Sequence, residues 1–235
     1  MTDSVSLIPG GAGNLGRAVT RAFLENGRRV AVPLYKTDRK DVFEELEAEY
    51  GSRLLTFALD LSTERGADSA VRQVIEWGAR LDSVVHLVGG WSGGMRVHET
   101  PAELWERMIE LNLRSAWLVA RAALPVMLEA GGGSFVFVSS RPARERRAGQ
   151  AAYAVAKSAL RTLTEAIAEE YASDGIRANS VIPGNLDTAD NRAAHPEADY
   201  SLWTPPEEVA RVILFLASAE AAAVSGAALP VDGRS

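Results

Sequence analysis

The feature that most constrains this chain is a glycine-rich turn close to its beginning. An apolar run over residues 5–9 leads into Gly10-Gly11-Ala12-Gly13-Asn14-Leu15-Gly16, and a helical pattern starts at Asn14. Four glycines within seven residues exceed what a plain strand-to-helix turn requires. Glycines let the backbone approach a ligand closely, and a helix N-terminus offers N–H groups and a favourable dipole to an anion. The turn therefore predicts a dinucleotide site rather than a simple connection.

Short apolar runs alternate with longer helical patterns along the whole chain. Several runs are rich in Val, Ile, Leu or Phe without polar alternation, which is typical of parallel strands covered on both faces. The alternation predicts an α/β fold: one domain over residues 1–235, with a doubly wound (Rossmann) parallel sheet of about seven strands and helices on both faces.

The predicted strands cover residues 5–9, 29–33, 54–59, 83–88, 134–139, 178–182 and 227–231. The predicted helices cover residues 14–26, 63–77, 102–130, 153–173 and 205–219, and the third should bend near Pro125 because proline interrupts helical hydrogen bonding. Residues 141–150 and 187–204 are expected to be irregular.

Composition excludes several classes of function. The 25 basic and 31 acidic residues leave a net charge of −6, so a nucleic-acid-binding surface is not expected. The chain has no cysteine, which removes disulfides and thiolate chemistry, and we predict no metal site. No apolar run is long enough for a membrane span and the first residues do not form a signal peptide. We therefore expect a soluble cytoplasmic protein without a membrane or nucleic-acid partner.

A tyrosine and a lysine four residues apart suggest chemistry on the helix that begins near residue 153. Tyr153 and Lys157 share one helix face, and an ammonium group beside a phenol favours the phenolate and lowers the tyrosine pKa. Such a tyrosine can act as an acid or base near neutral pH. The pair alone also fits two solvent-exposed residues of an amphipathic helix, so the remaining motifs decide between these interpretations.

The glycine turn and the Tyr-x-x-x-Lys pair together resemble the short-chain dehydrogenase/reductase family. The turn is similar to the family's Thr-Gly-x-x-x-Gly-x-Gly motif, with Gly10 and Gly16 at the outer glycines and Asn14 at the middle one. Pro9 replaces the threonine and so removes a hydroxyl and an N–H group. The supporting hydrogen bond that the family's threonine makes is therefore not expected here.

Two further residues complete the family's catalytic tetrad. Ser140 precedes Tyr153 by thirteen residues, which is the family spacing, and Asn112 matches the family's helix asparagine. The resemblance implies that Tyr153 exchanges a proton with the substrate and that Ser140 hydrogen-bonds the reacting group. It also implies that Lys157 holds the nicotinamide ribose and lowers the Tyr153 pKa, and that Asn112 positions a water in a relay to Lys157.

The resemblance extends along essentially the whole chain. Asp60-Leu61 follows the third strand, where the family contacts adenine, and 183–188 is similar to its Pro-Gly-x-x-x-Thr segment, whose last positions anchor the carboxamide. His86-Leu87-Val88-Gly89 replaces the family's Asn-Asn-Ala-Gly, and we interpret His86 as structural. The cofactor contacts implied are Gly10, Gly13, Asn14, Leu15, Gly16, Lys36, Asp60, Leu61, Gly89, Tyr153, Lys157, Pro183, Gly184, Leu186 and Thr188.

The end of the second strand bears on which dinucleotide is bound. Leu34 stands where NAD-specific dinucleotide folds place an acid for the ribose 2′-hydroxyl. Lys36 and Arg39 follow and could meet a 2′-phosphate, with help from Arg17. The alternative is that Lys36 and Arg39 belong to a solvated loop. The sequence favours NADP(H) over NAD(H) as the cofactor.

Two segments bear on the substrate, expected to be a small carbonyl or alcohol. The Gly89-to-Gly94 segment around Trp91, together with residues 186–205, is similar to the dihydropteridine reductases of the same family, which reduce quinonoid pterins. Trp91 could stack on a flat ring or could pack as a plug beneath a loop. Those reductases lack a serine at the Ser140 position and usually carry the NAD-selecting acid, so a general carbonyl reductase is the broader hypothesis.

Other interpretations remain open at this point. A non-catalytic dinucleotide sensor could share this fold, although such proteins tend to lose the tyrosine or the lysine. The arginines of 141–147 could meet an acidic substrate or form a solvated or subunit-facing loop. The resemblance also implies a homodimer or homotetramer.

Overall fold

The computed structural model describes residues 4–35, 43–145 and 147–233. Its strands are β1 Val5–Leu7, β2 Arg29–Leu34, β3 Leu54–Ala58, β4 Ser83–His86, β5 Gly133–Val138, β6 Ile176–Pro183 and β7 Ala228–Val231. Within the described residues these seven strands form one sheet in the order β3-β2-β1-β4-β5-β6-β7, and every neighbouring pair is parallel. The predicted doubly wound parallel sheet is therefore confirmed.

Helices cover both faces of this sheet. They are α1 Asn14–Glu25, α2 Glu44–Tyr50, α3 Glu64–Gly78, α4 Ala102–Ile109, α5 Ser115–Glu129, α6 Ala151–Glu170, α7 Ala189–Ala194 and α8 Pro206–Leu216. Residues of α3, α5 and α6 share one apolar core with the sheet, and those of α1 and α8 share the other. Successive strand residues face opposite cores, as Val84 and Val85 do, which explains why β4 reads as a continuous apolar run.

Three details differ from the sequence expectation. The helix expected over 102–130 is interrupted at Glu110–Arg114 by a π-helical turn, whereas Pro125 lies inside α5. The segment 187–204, expected to be irregular, contains α7, because the Thr188 hydroxyl accepts the Asn191 N–H (3.2 Å) and caps it. The short helix α2 had no counterpart among the predicted elements.

The strand order places a crevice at the end of β1. The sheet extends in one direction through β2 and in the other through β4, so β1 and β4 flank the point where the connections diverge, which is where ligands of such sheets bind. The chain leaves β1 at Leu7, and the Pro9 carbonyl oxygen still accepts the Leu87 N–H at 2.8 Å. The glycine turn thus begins at this crevice.

Among the helices that the structure describes, none has the length and apolar character that crossing a bilayer requires.

Candidate active site

The glycine turn packs too tightly for side chains at its key positions. Gly10 has a φ of +83°, and a Cβ there would lie 2.8 Å from the Val88 nitrogen. A Cβ on Gly16 would overlap the Gly10 carbonyl oxygen. The turn therefore brings the start of α1 directly against the end of β1, as the glycine pattern predicted.

The N-terminus of α1 is suited to an anion. Gly13 precedes the helix without a side chain to cap it, and the first turn contains no acidic residue. The first N–H groups of a helix have no intrahelical acceptor, and the helix dipole favours negative charge there. These properties match the pyrophosphate of a dinucleotide, so the residues present fit the cofactor that the sequence suggested.

A cavity of about 960 Å³ extends from the glycine turn across the carboxyl ends of β2, β3 and β4 to α4. Five of the residues implied as cofactor contacts line it: Gly10, Gly13, Asp60, Leu61 and Gly89. The volume lies within the range of cofactor sites in proteins. Leu34 and Tyr35 line the same cavity at the end of β2. Lys36 and Arg39 lie outside the described residues.

The tetrad residues come from three elements that converge beside this cavity. Ser140 follows β5 directly, and its side chain hydrogen-bonds the Tyr153 hydroxyl. Lys157 lies one turn further along α6, with its ammonium nitrogen 5.9 Å from the centre of the Tyr153 ring. The Ser139 hydroxyl donates to the Lys157 carbonyl oxygen at 3.0 Å and so fastens α6 to the end of β5.

Asn112 lies in the π-helical turn and is fully buried. Its side-chain nitrogen donates to the Gly90 and Met108 carbonyl oxygens, at 2.9 and 3.1 Å, and its oxygen accepts the Gly90 N–H at 3.1 Å. A Cβ on Gly89 would lie 2.8 Å from the Asn112 side-chain oxygen and 2.9 Å from the Lys157 ammonium. Glycine at position 89 therefore allows these two groups to approach each other.

Burial, rather than the lysine, dominates the titration of Tyr153. Removal from water raises the pKa of the Tyr153 hydroxyl, and the hydrogen bond from Ser140 opposes this only in part. Lys157 is itself buried, which lowers its pKa to about 8, and its ammonium donates to the Val138 carbonyl oxygen at 2.8 Å. The lowered Tyr153 pKa expected from the sequence is therefore wrong for this structure.

Trp91 lies on the loop after β4 and is 58% exposed, so it does not pack as a plug. The loop is held by a contact between glycines: the Gly94 N–H donates to the Gly149 carbonyl oxygen at 2.7 Å. A Cβ on Gly93 would overlap that oxygen. This contact joins the Trp91 loop to the segment that precedes Tyr153, and no sequence motif pointed to it.

The end of β6 and the segment after it contain four of the implied cofactor contacts, Pro183, Gly184, Leu186 and Thr188. Pro183 ends β6, and Gly184 donates its N–H to the Val231 carbonyl oxygen at 3.3 Å. Leu186 pairs with Thr204, which closes the base of the segment, and Thr188 starts α7. The structure records none of these four implied contacts among the lining residues of the cavity described above.

The Asn14 side chain makes a contact that the sequence did not indicate. Its amide nitrogen donates to the Asp190 carboxylate at 2.7 Å, across 176 residues of chain. Leu15 and Gly16, by contrast, are buried. Asn14 thus connects the glycine turn with α7.

His86 and the arginine segment lie beside the site. His86 is 1% exposed and packs against Phe137, and burial lowers its pKa to about 3, so it is neutral at physiological pH. This supports the structural interpretation.

Arg141 begins a short 3₁₀ turn that ends at Ala143, and Arg147 pairs with Glu145 at 3.7 Å.

Comparisons with known proteins identify the class. A family model described as enoyl-(acyl carrier protein) reductase matches residues 10–233. A cis-4-hydroxycyclohexanecarboxylate dehydrogenase from Sinomonas cyclohexanicum is 34% identical over 98% of this chain and 96% of its own. The chain belongs to the short-chain dehydrogenase/reductase family, and it is an oxidoreductase.

Solved structures agree with this assignment. A short-chain dehydrogenase/reductase from Mycobacterium ulcerans superposes with a TM-score of 0.93 at 30% identity, covering 100% of this chain and 90% of that one. A blue fluorescent protein from a metagenomic library, solved in complex with NADPH, superposes with a TM-score of 0.89 at 29% identity, covering 98% and 96% of the two chains.

Proposed function

We propose that this protein is an NAD(P)(H)-dependent oxidoreductase that transfers hydride between nicotinamide and a small carbonyl or alcohol substrate. The observation that carries the proposal is the convergence of Ser140, Tyr153, Lys157 and Asn112 beside the cavity of the glycine turn. When bound, the nicotinamide would supply or accept the hydride, and the protein would supply orientation and the proton.

Each tetrad residue then has a role that its surroundings support. The raised pKa keeps Tyr153 protonated at neutral pH, so its hydroxyl can donate a proton to the carbonyl oxygen during reduction. Ser140, whose side chain hydrogen-bonds the Tyr153 hydroxyl, would hydrogen-bond the carbonyl oxygen of the substrate. Lys157 holds the ribose, and Asn112 fixes the Gly90 backbone beside it. The water expected between Asn112 and Lys157 stays a prediction.

We propose NADP(H) as the preferred cofactor. Leu34 is 3% exposed at the end of β2, and neither it nor Tyr35 provides a carboxylate for a ribose 2′-hydroxyl. A site without that carboxylate does not repel a 2′-phosphate. The related NADPH complex shows that a chain of this fold can hold that cofactor.

The first experiment follows oxidation of NADPH and NADH with small ketones and aldehydes. Tyr153→Phe should lower kcat by about 100-fold or more while the cofactor dissociation constant changes by less than about twofold, because only the proton donor is lost. Tyr171→Phe, the same change at the far end of α6, is the matched control and should keep wild-type turnover.

The same experiment separates the alternatives. Turnover that survives in Tyr153→Phe would contradict the assigned role of the hydroxyl. Cofactor binding without turnover of any acceptor would instead favour the dinucleotide sensor. A preference for NADH would contradict the proposed cofactor and direct attention to the residues that follow Tyr35 in the sequence.

A second candidate is reduction of a quinonoid pterin, and the exposure of Trp91 favours it. The exposed indole lies on the loop that the Gly94–Gly149 contact joins to the segment before Tyr153, and it offers a face on which a flat bicyclic ring could stack. Trp91→Leu should then raise KM for a quinonoid dihydropterin but leave KM for a small ketone nearly unchanged. Equal effects on both substrates would argue against stacking.

We propose further that the predicted domain of residues 1–235 assembles as a homodimer or homotetramer. Large apolar side chains are exposed on the helices beside the site: Trp105 on α4, Trp117 on α5 and Val155 on α6, at 41–44% exposure. Contiguous apolar patches mark surfaces that pack against another subunit, and we propose that these residues belong to such a patch. The cytoplasmic location stays a prediction.

A further inference from the structure

The polar link between the glycine turn and α7 is the starting point. Asn14 is the first residue of α1, and its amide donates to the Asp190 carboxylate at 2.7 Å. A hydrogen bond to an ionised acceptor is stronger than one between neutral groups. The contact therefore ties α7 to the helix start that would receive the pyrophosphate.

We propose that Asp190 is an affinity-setting residue for the dinucleotide: its bond to Asn14 is a latch that the cofactor's pyrophosphate must displace. The proposal rests on the proposed function, since it requires a dinucleotide at the glycine turn. A phosphate oxygen at the start of α1 would compete with Asp190 for the Asn14 amide, and the two negative charges would repel each other.

Asp190 differs from its neighbour Asp187 in how its charge is compensated. Asp187 forms a two-point pair with Arg192, at 2.5 and 2.8 Å, which lowers the pKa of that carboxyl group. In the part of the chain that the structure describes, no salt bridge is recorded for Asp190. Among the described residues, its recorded partner is therefore the neutral Asn14 amide of the glycine turn, not a cation as for Asp187.

The segment around α7 is held largely by contacts among its own residues. Its internal contacts are local: Thr188 caps the helix, Asn191 donates to the Leu186 carbonyl oxygen at 2.9 Å, and Asp187 pairs with Arg192. Its base is anchored by the Asp187 N–H, which donates to the Thr204 carbonyl oxygen at 2.9 Å. Breaking the Asn14–Asp190 bond would remove this link between α7 and the glycine turn and leave the contacts within the segment in place.

The test is a binding cycle on the full chain. NADPH, NADH and ADP-ribose, which carries the pyrophosphate without nicotinamide, are titrated against the wild type, Asp190→Asn, Asp190→Ala, Asn14→Ala and Asn14→Ala/Asp190→Ala. Both Asp190 variants should bind all three ligands about tenfold more tightly, and less so at high salt because the repulsion is screened. In the Asn14→Ala background the gain should shrink, since the hydrogen bond is already absent.

Glu197→Gln is the matched control, because it removes one negative charge from an exposed residue of the same segment. It should leave every dissociation constant within about twofold of wild type. Unchanged or weaker binding by both Asp190 variants, or an equal gain in Glu197→Gln, would overturn the latch alone. Failure of the wild type and all variants to bind any of the three ligands would overturn the proposed function together with the latch.

Discussion

At the residue scale, the site depends on two ionisable groups withdrawn from water. Burial raises the pKa of Tyr153 and lowers that of Lys157 to about 8. Both shifts have the same cause, since a low-dielectric environment disfavours the charged form of either group. At neutral pH the structure therefore holds the phenol protonated and the lysine mostly charged, which is the combination a reduction requires.

The Lys157 pKa leads to a prediction for the pH dependence of reduction. The ammonium form exists below about pH 8 and is lost above it, whereas Tyr153 stays protonated throughout this range. The rate at saturating cofactor should be level below pH 8 and fall about tenfold per pH unit above it. Lys157→Arg, which stays charged, should remove the fall. A wild-type rate that is level to pH 9.5 would show that the charge on Lys157 is not needed.

At the scale of elements, the Trp91 loop packs closely against the segment before Tyr153 because both residues at their contact, Gly94 and Gly149, are glycines. Gly149 has a φ of +75°, and a Cβ there would lie 3.0 Å from the Gly94 Cα. The contact fixes the Trp91 loop against the residues that start α6, one turn before Tyr153. The Trp91 loop and the helix that carries Tyr153 are thereby held together.

Gly131 gives a matched control for that contact. Its φ is +76°, yet nothing lies within 4 Å of a Cβ placed there. Gly131→Ala should lower the free energy of unfolding by about 1 kcal/mol through backbone strain alone. Gly149→Ala should cost more and should also raise KM, measured by urea unfolding and steady-state kinetics. Equal stability losses with unchanged KM in both variants would contradict a role for the glycine contact.

At the scale of the whole molecule, the two cores and the crevice follow from one topology. Parallel strands require crossover connections, here helices that cover both faces of the sheet, and the reversal of strand order at β1 opens the crevice there. Both faces of the sheet are thereby covered, so exposed apolar residues such as Trp105 and Trp117 lie on the outer surfaces of helices.

The proposed assembly can be tested on these two residues. Trp105→Ser/Trp117→Ser should lower the oligomeric order measured by light scattering, because exposed indoles contribute much of the stability of subunit contacts. Val97→Ser is the control, since Val97 is 75% exposed but belongs to neither helix. A wild-type chain that is monomeric at micromolar concentration would contradict the assembly.

The sequence by itself was sufficient to predict the class of fold, the glycine turn and the candidate tetrad. Apolar periodicity reports burial on both faces of a strand, and the Tyr153–Lys157 spacing places both residues on one helix face, because these depend on neighbours in the chain. The strand order of the sheet was not predicted and came from the structure.

Only the tertiary structure decided the remainder. The direction of the Tyr153 pKa shift depends on burial among distant elements, and the sequence argument, which considered Lys157 alone, reached the wrong sign. The π-helical turn at Asn112, the Gly94–Gly149 contact and the Asn14–Asp190 bond join residues far apart in the chain or depend on such contacts. Pairings of this kind leave no local pattern, because packing rather than propensity brings the two partners together.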